Sequence, residues 1–321
     1  MAVYTPLSAA DVAQFLAHYD VGTYLSHQGI TGGIENTNYF VATSLAGTAT
    51  EWVLTVFERL SAAQLPYYLE LCAHLGAKDL NVTTPCRMTL GGLQGTLHGK
   101  PAALTQRLAG ADCAAPSLAQ IAAVGELLAR MHLGTADFAH SQDNLRGLDW
   151  IAATTPKLFA RVSPAIAGLL ADELAEQQRF EKDAANKALP RGAVHADLFL
   201  DNVLFDVAGR AGAIDFYFAG SDAYVYDLCV TVNDWCIDRD AQGVSDGALN
   251  AAKQAAFMNA YSAVRPLSAD EMACMPMVSR RAALRFWVSR LDDWYSPRAA
   301  SQLQAKDPTH FERMLRVRRA G

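Results

Sequence analysis

The chain has no apolar run approaching the ~18 residues needed to cross a bilayer as a helix, which excludes a transmembrane helix. It also lacks paired cysteines. Its six (Cys72, Cys86, Cys113, Cys229, Cys236 and Cys274) form no CxxC pair and no metal-ligand spacing, so small buried thiols of a reducing compartment are expected. Met1-Ala2-Val3-Tyr4-Thr5-Pro6 lacks a basic stretch followed by an apolar one, so no secretory signal is expected. Positive charge is short as well. The net charge of −6 argues against a general nucleic-acid or anionic-membrane surface. It leaves room for an anionic small ligand, because local donors or a metal ion can neutralise phosphate. What is present is a chain of 321 residues, 51% hydrophobic and 19% charged. That is ample for a sizeable core and far from the composition of disordered chains. A soluble cytoplasmic globular enzyme, with no nucleic-acid or membrane partner, is the expectation.

The pattern along the chain is α+β. Ser8 followed by Ala9–Leu16 reads as a capped opening helix. Thr23–Gln28, Thr37–Thr43 and Glu51–Phe57 are rich in β-branched and aromatic residues, with Ser44–Thr50 as a turn-like spacer. Ser61 and Gln64 form a capping box for a helix expected to reach about Lys78. Cys86–Leu90 and Ala102–Leu108 are two further strand-like runs. After Gly110 the period becomes helical, with Leu118, Ile121, Val124, Leu127, Leu128 and Met131 on one face. Residues 149–188 continue in that character. Ala193–His195, Asn202–Phe205 and Ala211–Phe216 form a β insertion whose last two pieces read as a hairpin. Helices are then expected at about 223–237, 246–263, 269–295 (interrupted at Pro276) and 308–318. The expected architecture is two-lobed: a small antiparallel β-rich lobe over 1–105, a hinge at 106–111, and a larger, mainly helical lobe over 112–321.

One stretch carries chemistry. His195-Ala196-Asp197-Leu198-Phe199-Leu200-Asp201-Asn202 is followed, thirteen residues past Asn202, by Asp215. Phosphoryl transfer needs one carboxylate to orient the acceptor hydroxyl and take its proton. It also needs an oxygen-rich pair to hold Mg²⁺ on nucleotide phosphates. An H-x-D-x4-N loop puts the first carboxylate and an amide oxygen at its two ends, and a short hairpin returns a second carboxylate beside that amide. Chance would produce the loop pattern about 0.02 times in a chain of this composition.

His195–Phe205, Ile214–Gly220 and Tyr226-Asp227-Leu228 resemble the aminoglycoside phosphotransferase/choline kinase family, a small-molecule branch of the protein-kinase fold. Further blocks resemble one subgroup, the bacterial homoserine kinases of that type. These are Gly33–Phe40, Val53-Leu54-Thr55, Leu65-Pro66-Tyr67, Gly99–Ala102, Thr231–Cys236 and Arg285–Leu291. The resemblance implies ATP and Mg²⁺ as cofactors and the side-chain hydroxyl of L-homoserine as acceptor, in threonine biosynthesis. It implies Asp197 as the catalytic carboxylate and Asn202 and Asp215 as the metal pair. Gly29, Gly32 and Gly33 would cover the nucleotide, or form an ordinary turn. Gln106 and Leu108 at the hinge would meet adenine through backbone groups. A kinase acting on an aminoglycoside or choline-like acceptor, or a nucleotide-binding pseudokinase, is the alternative.

The pseudokinase alternative comes from Thr55, which stands where the general kinase template has a phosphate-binding lysine; the subgroup resemblance carries the same V-L-T. Arg59 is a substitute or solvated surface, and Glu70 loses its reason to pair. His195 is expected to brace the catalytic loop, and Asp227 to support it or to offset a helix dipole. Asp234, Arg285 and Arg290 lie in apolar helical stretches where charge is costly unless paired or bound to ligand. They are either salt-bridged or the groups that read an amino-acid acceptor. Arg285 and Arg290, five positions apart, are expected not to share a face, one meeting substrate and the other pairing with Asp234 or Asp292. Trp235, Trp287 and Trp294 are expected in the core.

Overall fold

The computed structural model describes residues 4–30, 36–295 and 306–320. It divides into two compact units, one ending at Ala109 and the other beginning at Gly110. The first is a small antiparallel β-rich lobe and the second a larger, mainly helical lobe.

The first lobe opens with helix α1 (Ala9–Leu16). Ser8 caps it by accepting from the Asp11 N–H, while Asp11 accepts from the Ser8 N–H at 2.8 Å. Strands β1 (Thr23–Gly29), β2 (Thr37–Leu45) and β3 (Thr48–Val56) follow, then helix α2 (Leu65–Gly76) and strands β4 (Gly95–Leu97) and β5 (Lys100–Gln106). They form one antiparallel sheet in the order β1-β2-β3-β5-β4. The expected spacer between β2 and β3 shrinks to Ala46-Gly47. Both residues have positive φ, +50° and +84°, the tight turn whose twist matches a two-residue hairpin. Leu54, Val56, Ala102 and Leu104 share the core with Val12, Phe15 and Leu16 of α1. Burying each larger side chain there contributes about 1.5–3 kcal/mol.

Two expectations shift. The run Cys86–Leu90 is not a strand; β4 replaces it. The outer edge of β5 is taken by β4 over Lys100–Ala102, so the earlier segment reaches only the far end. There Cys86 donates to Leu104 and Gln106 to Thr84, each at 2.8 Å. Helix α2 starts later than its box suggests. Ser61 and Gln64 do bond (3.1 Å), but they close a separate turn ahead of Leu65 and Pro66.

The second lobe carries α3 (Leu118–Gly134), α4 (Leu148–Leu158), α5 (Pro164–Glu181) and the short α6 (Ala184–Lys187). Strand β6 (Arg191–Val194) pairs with β9 (Gly220–Ala223), and between them β7 (Val203–Phe205) pairs with β8 (Ala211–Ala213). Helices α7 (Tyr224–Trp235), α8 (Ala251–Val264), α9 (Ala269–Tyr295) and α10 (Thr309–Ala320) complete it. Helix α8 begins five residues later than its expected start at 246. Asn250 is its cap, accepting from the N–H groups of Ala252 and Lys253. Pro276 does not interrupt α9. It removes only the bond to the Met272 carbonyl, and Met272 lies on the exposed side, where that carbonyl is open to solvent. Every residue of α7 is buried, and Trp235 and Trp287 are in the core; Trp294 is half-exposed, an exception to expectation. All six cysteines are free. Among the described residues no helix is long and apolar enough to cross a membrane.

Candidate active site

Strand β6 delivers the chain into a loop that ends in a single 3-10 turn, Leu200–Asn202, before β7. The loop is held from below by one carboxylate. Asp227, in the first turn of α7 and fully buried, accepts from the His195 N–H (2.8 Å) at one oxygen and the Ala196 N–H (2.7 Å) at the other. Burial works to raise its pKa, but His132, His195 and these N–H groups together hold the carboxyl below its usual range. His195 is spent on the backbone. Its Nε2 lies 2.9 Å from the Ile214 carbonyl, and its Nδ1 accepts from the Asp197 N–H at 3.3 Å. Both ring nitrogens are therefore engaged in shaping the loop.

The fold brings Asp197, Asn202 and Asp215 to one place. The Asn202 amide nitrogen donates to the Asp197 backbone carbonyl (2.8 Å) and to its carboxylate (3.3 Å). The Asn202 backbone carbonyl accepts from Ile214 at 3.0 Å, which sets Asp215 beside it at the end of the β7–β8 hairpin. Ala196 and Asp215 both adopt φ of +62°, the left-handed region that residues with a Cβ seldom occupy. Each immediately flanks or is a member of the triad. Loss of hydration pushes the Asp197 carboxyl up to about 7; Arg285 opposes this, Asp215 and Asp201 add to it, and Arg290 opposes it. A carboxylate poised near neutrality can take a proton from a hydroxyl.

With its nitrogen committed to Asp197, Asn202 has its amide oxygen left for another partner, and Asp215 supplies an exposed carboxylate. One amide oxygen and one carboxylate are hard oxygen donors of the kind Mg²⁺ takes when phosphates and water complete its shell. The donor set fits the ion.

On α9, Arg285 is buried, its guanidinium 3.8 Å above the Phe286 ring and 5.1 Å from Phe218. Its Nε has no hydrogen-bond partner. The Tyr226 hydroxyl, also buried, has none either; the Asn144 amide donates to Asp222 (2.9 Å). Arg290 is half-buried, and desolvation lowers its pKa even though Asp197 pulls the other way. Both arginines thus bias Asp197, despite their five-residue separation. Asp234 is not their partner. It pairs with Arg239 and accepts from the Leu200 N–H (2.8 Å), so it ties α7 to the 3-10 turn.

The first lobe holds the remaining expected residues. Gly29 is the last residue of β1, opposite Tyr39; Gly32 and Gly33 lie outside the described residues. Gln106 ends β5, and Leu108 lies past its last paired residue. The Thr55 hydroxyl donates to Asn38 (2.8 Å) on the adjacent strand. Glu70 faces Arg87 at 3.5 Å, and Arg59 is exposed. Sequence reasoning passed over His132, Tyr261 and Arg265, and read Glu271 only as a helix-capping partner of Ser268; their buried side chains adjoin Asp227 in a line. A histidine between Met131 and Leu133 in an apolar helix was the available signal.

Residues 26–267 match the phosphotransferase enzyme family. The homoserine kinase of Ralstonia pickettii (strain 12J) is 46% identical, with 99% of this chain and 96% of that protein covered. The homoserine kinase of Cupriavidus pinatubonensis is 47% identical over 100% and 97%. Among solved structures, an amicoumacin kinase in complex with AMP-PNP and Ca²⁺ superposes with a TM-score of 0.70 at 15% identity, over 98% and 92% of the chains. The choline kinase of Cryptosporidium parvum does so at 0.68 and 10%, over 98% and 96%. At such identities these structures establish the two-lobed kinase-like fold.

Proposed function

The chain belongs to the phosphotransferase enzyme family and is a small-molecule kinase, and from that premise we propose that it transfers the γ-phosphoryl group of ATP to the side-chain hydroxyl of L-homoserine, in threonine biosynthesis. Likeness to homoserine kinases along the whole chain supports the acceptor. The observation that carries the chemistry is Asp197: a carboxyl pushed up to about 7, tied to Asn202, in a loop braced by Asp227.

In this reading the homoserine hydroxyl oxygen attacks the γ-phosphorus, the bond to the ADP oxygen breaks, and Asp197 takes the hydroxyl proton. Asn202 and Asp215 would hold Mg²⁺, which neutralises charge on the phosphates. Gly29, Gly32 and Gly33 would cover the nucleotide, and Gln106 and Leu108, in a 106–111 hinge, would offer backbone groups to adenine. The acceptor carboxylate needs a cation that replaces its lost hydration. Arg285, buried with an unsatisfied Nε beside an unsatisfied Tyr226 hydroxyl, supports that role, with Arg290 at its side. Asp234, already matched by Arg239, serves the loop instead.

A coupled assay of ADP release over homoserine, serine, choline, kanamycin and no acceptor tests the proposal. Release stimulated by homoserine above the others is expected. Stimulation by kanamycin or choline alone would move the acceptor to another class, and no stimulation by any acceptor would leave the catalytic assignment without support.

A further inference from the structure

One line of buried side chains in the second lobe has no part in the reaction as described. The Glu271 carboxylate, in the first turn of α9, is 2.9 Å from Arg265 Nη1. That nitrogen donates to the Tyr261 hydroxyl at 3.0 Å. The Tyr261 hydroxyl is 2.7 Å from His132 Nδ1, and His132 Nε2 is 3.1 Å from Asp227 Oδ2. All five residues are buried, and they come from α3, α7, α8 with its C-terminal cap, and the start of α9.

Only one arrangement of protons along this line gives every buried proton an acceptor, since a doubly protonated His132 would leave the Tyr261 O–H without one. Arginine only donates, so the Tyr261 oxygen accepts from it and its own proton is free for His132. The Asp227 carboxylate already accepts two backbone N–H groups and can only accept from the ring. His132 must therefore carry its proton on Nε2 and receive the Tyr261 O–H at Nδ1. Burial lowers the His132 pKa, with Asp227 opposing, which agrees with a ring holding a single proton. The Tyr224 ring stacks beside it at 4.7 Å. The far end of the line reaches the loop one residue before Asp197. Ala196 sits there at φ +62°, a conformation costing a non-glycine residue about 1–2 kcal/mol. It is maintained by the two N–H bonds to Asp227.

We propose that His132, Tyr261 and Arg265 are positioning residues for the catalytic loop: they lock His132 as the Nε2–H tautomer, which fixes the rotation of Asp227, which in turn holds Ala196 left-handed and Asp197 in place. The proposal rests on the reading of Asp197 as the reacting carboxylate. It extends the loop's support to three residues that touch neither nucleotide nor acceptor.

The direct test is long-range ¹H–¹⁵N correlation spectroscopy on the full-length protein. His132 should show the Nε2–H tautomer and no titration from about pH 5 to 8, the window in which an ordinary imidazole changes charge. Tyr261→Phe should disturb that signature and lower kcat for ATP and homoserine by up to about 100-fold, the scale of a misplaced reacting group, with both KM values little changed. His132→Gln, whose amide can donate to Asp227 and accept from Tyr261, should recover much of the rate that His132→Leu loses. A Nδ1–H tautomer, or titration within the window, would overturn the proposal whatever the variants do. Asp197→Ala in the same assay separates the two readings. Full rate there would sink the catalytic-loop assignment, whereas loss there with wild-type kcat in a folded Tyr261→Phe would sink only the positioning role.

Discussion

The two lobes are held together by different physics. The first is a sheet whose apolar face meets α1, closed by tight hairpins at Ala46-Gly47 and His98-Gly99. A polar cluster in which Glu58 binds Lys100, Thr5 and Thr37 ties the N-terminal segment to the ends of the inner strands and keeps some contact with water. The second lobe buries its charges. Asp227, Arg265, Glu271, Glu173 and Arg285 are all inside, and Arg265 meets Glu271 while Glu173 meets Arg280. Buried charge is costly and adds little net stability when replaced by apolar packing, but removing one partner is severe. The lobe that carries Asp197, the proposed reacting carboxylate, is thus the one built to tolerate least change in hydrogen bonding.

That contrast can be broken by mutation, beginning with the largest effect. Asp197→Ala should lower turnover by about 10²–10⁴, the range for a positioned acid/base, with ATP affinity from equilibrium binding nearly unchanged. A variant retaining most of its rate would remove the catalytic role from this loop. The same residue sets a pH dependence. With its carboxyl pushed up to about 7, kcat/KM should rise as pH increases through neutrality, because the base works only when deprotonated. Stability should run the other way. The folded state binds this proton more tightly than the unfolded state, so stability falls as pH rises from the ordinary carboxylate range to about 7. In Asp197→Asn, thermal melts across that window should lose this slope.

Arg285→Met should cost about 2–5 kcal/mol in kcat/KM for homoserine, as when a buried charge pair loses one partner. Any slow hydrolysis of ATP without acceptor should remain. If Arg285→Met and Arg290→Met both fold and both keep the wild-type KM, the carboxylate is read elsewhere. In the first lobe the expected losses concern stability rather than chemistry. Leu54→Ala, at a fully buried position, should cost about 2–5 kcal/mol in denaturant unfolding with kcat little altered in the folded fraction. Thr55→Ala sharpens the comparison most finely. It removes only the bond to Asn38, so about 1 kcal/mol of stability is expected. A hundredfold loss of activity instead would show that the threonine makes a specific phosphate or structural bond beyond the one to Asn38.

Much of this was legible in the chain. Hydrophobic period marked the long helices and strands, because burial of one face leaves a repeat that survives in the sequence, while the short strands β4 and β9 left no such repeat. The spacing of Asp197, Asn202 and Asp215 was legible for a similar reason: a loop and a short hairpin fix their separation locally. Cys86–Leu90 misled because it has strand composition, while the edge of β5 it would need was already occupied by a neighbour only five residues from that strand's start. Pro276 misled because the consequence of a missing donor depends on whether the orphaned carbonyl faces water.

The sequence by itself determined the α+β order, the apolar faces, the cap at Ser8, and the local spacing that brings Asp197, Asn202 and Asp215 together. Each depends on interactions within a few positions along the chain. Only the tertiary structure decided which charge meets which. Asp234 chose Arg239 rather than an arginine of α9, Arg285 was left with an open donor over two aromatic rings, and His132 was placed between Tyr261 and Asp227, 129 and 95 residues away. A charge on a helix carries no mark of its partner; low-dielectric burial makes the pairing matter, and packing alone brings the partners within reach.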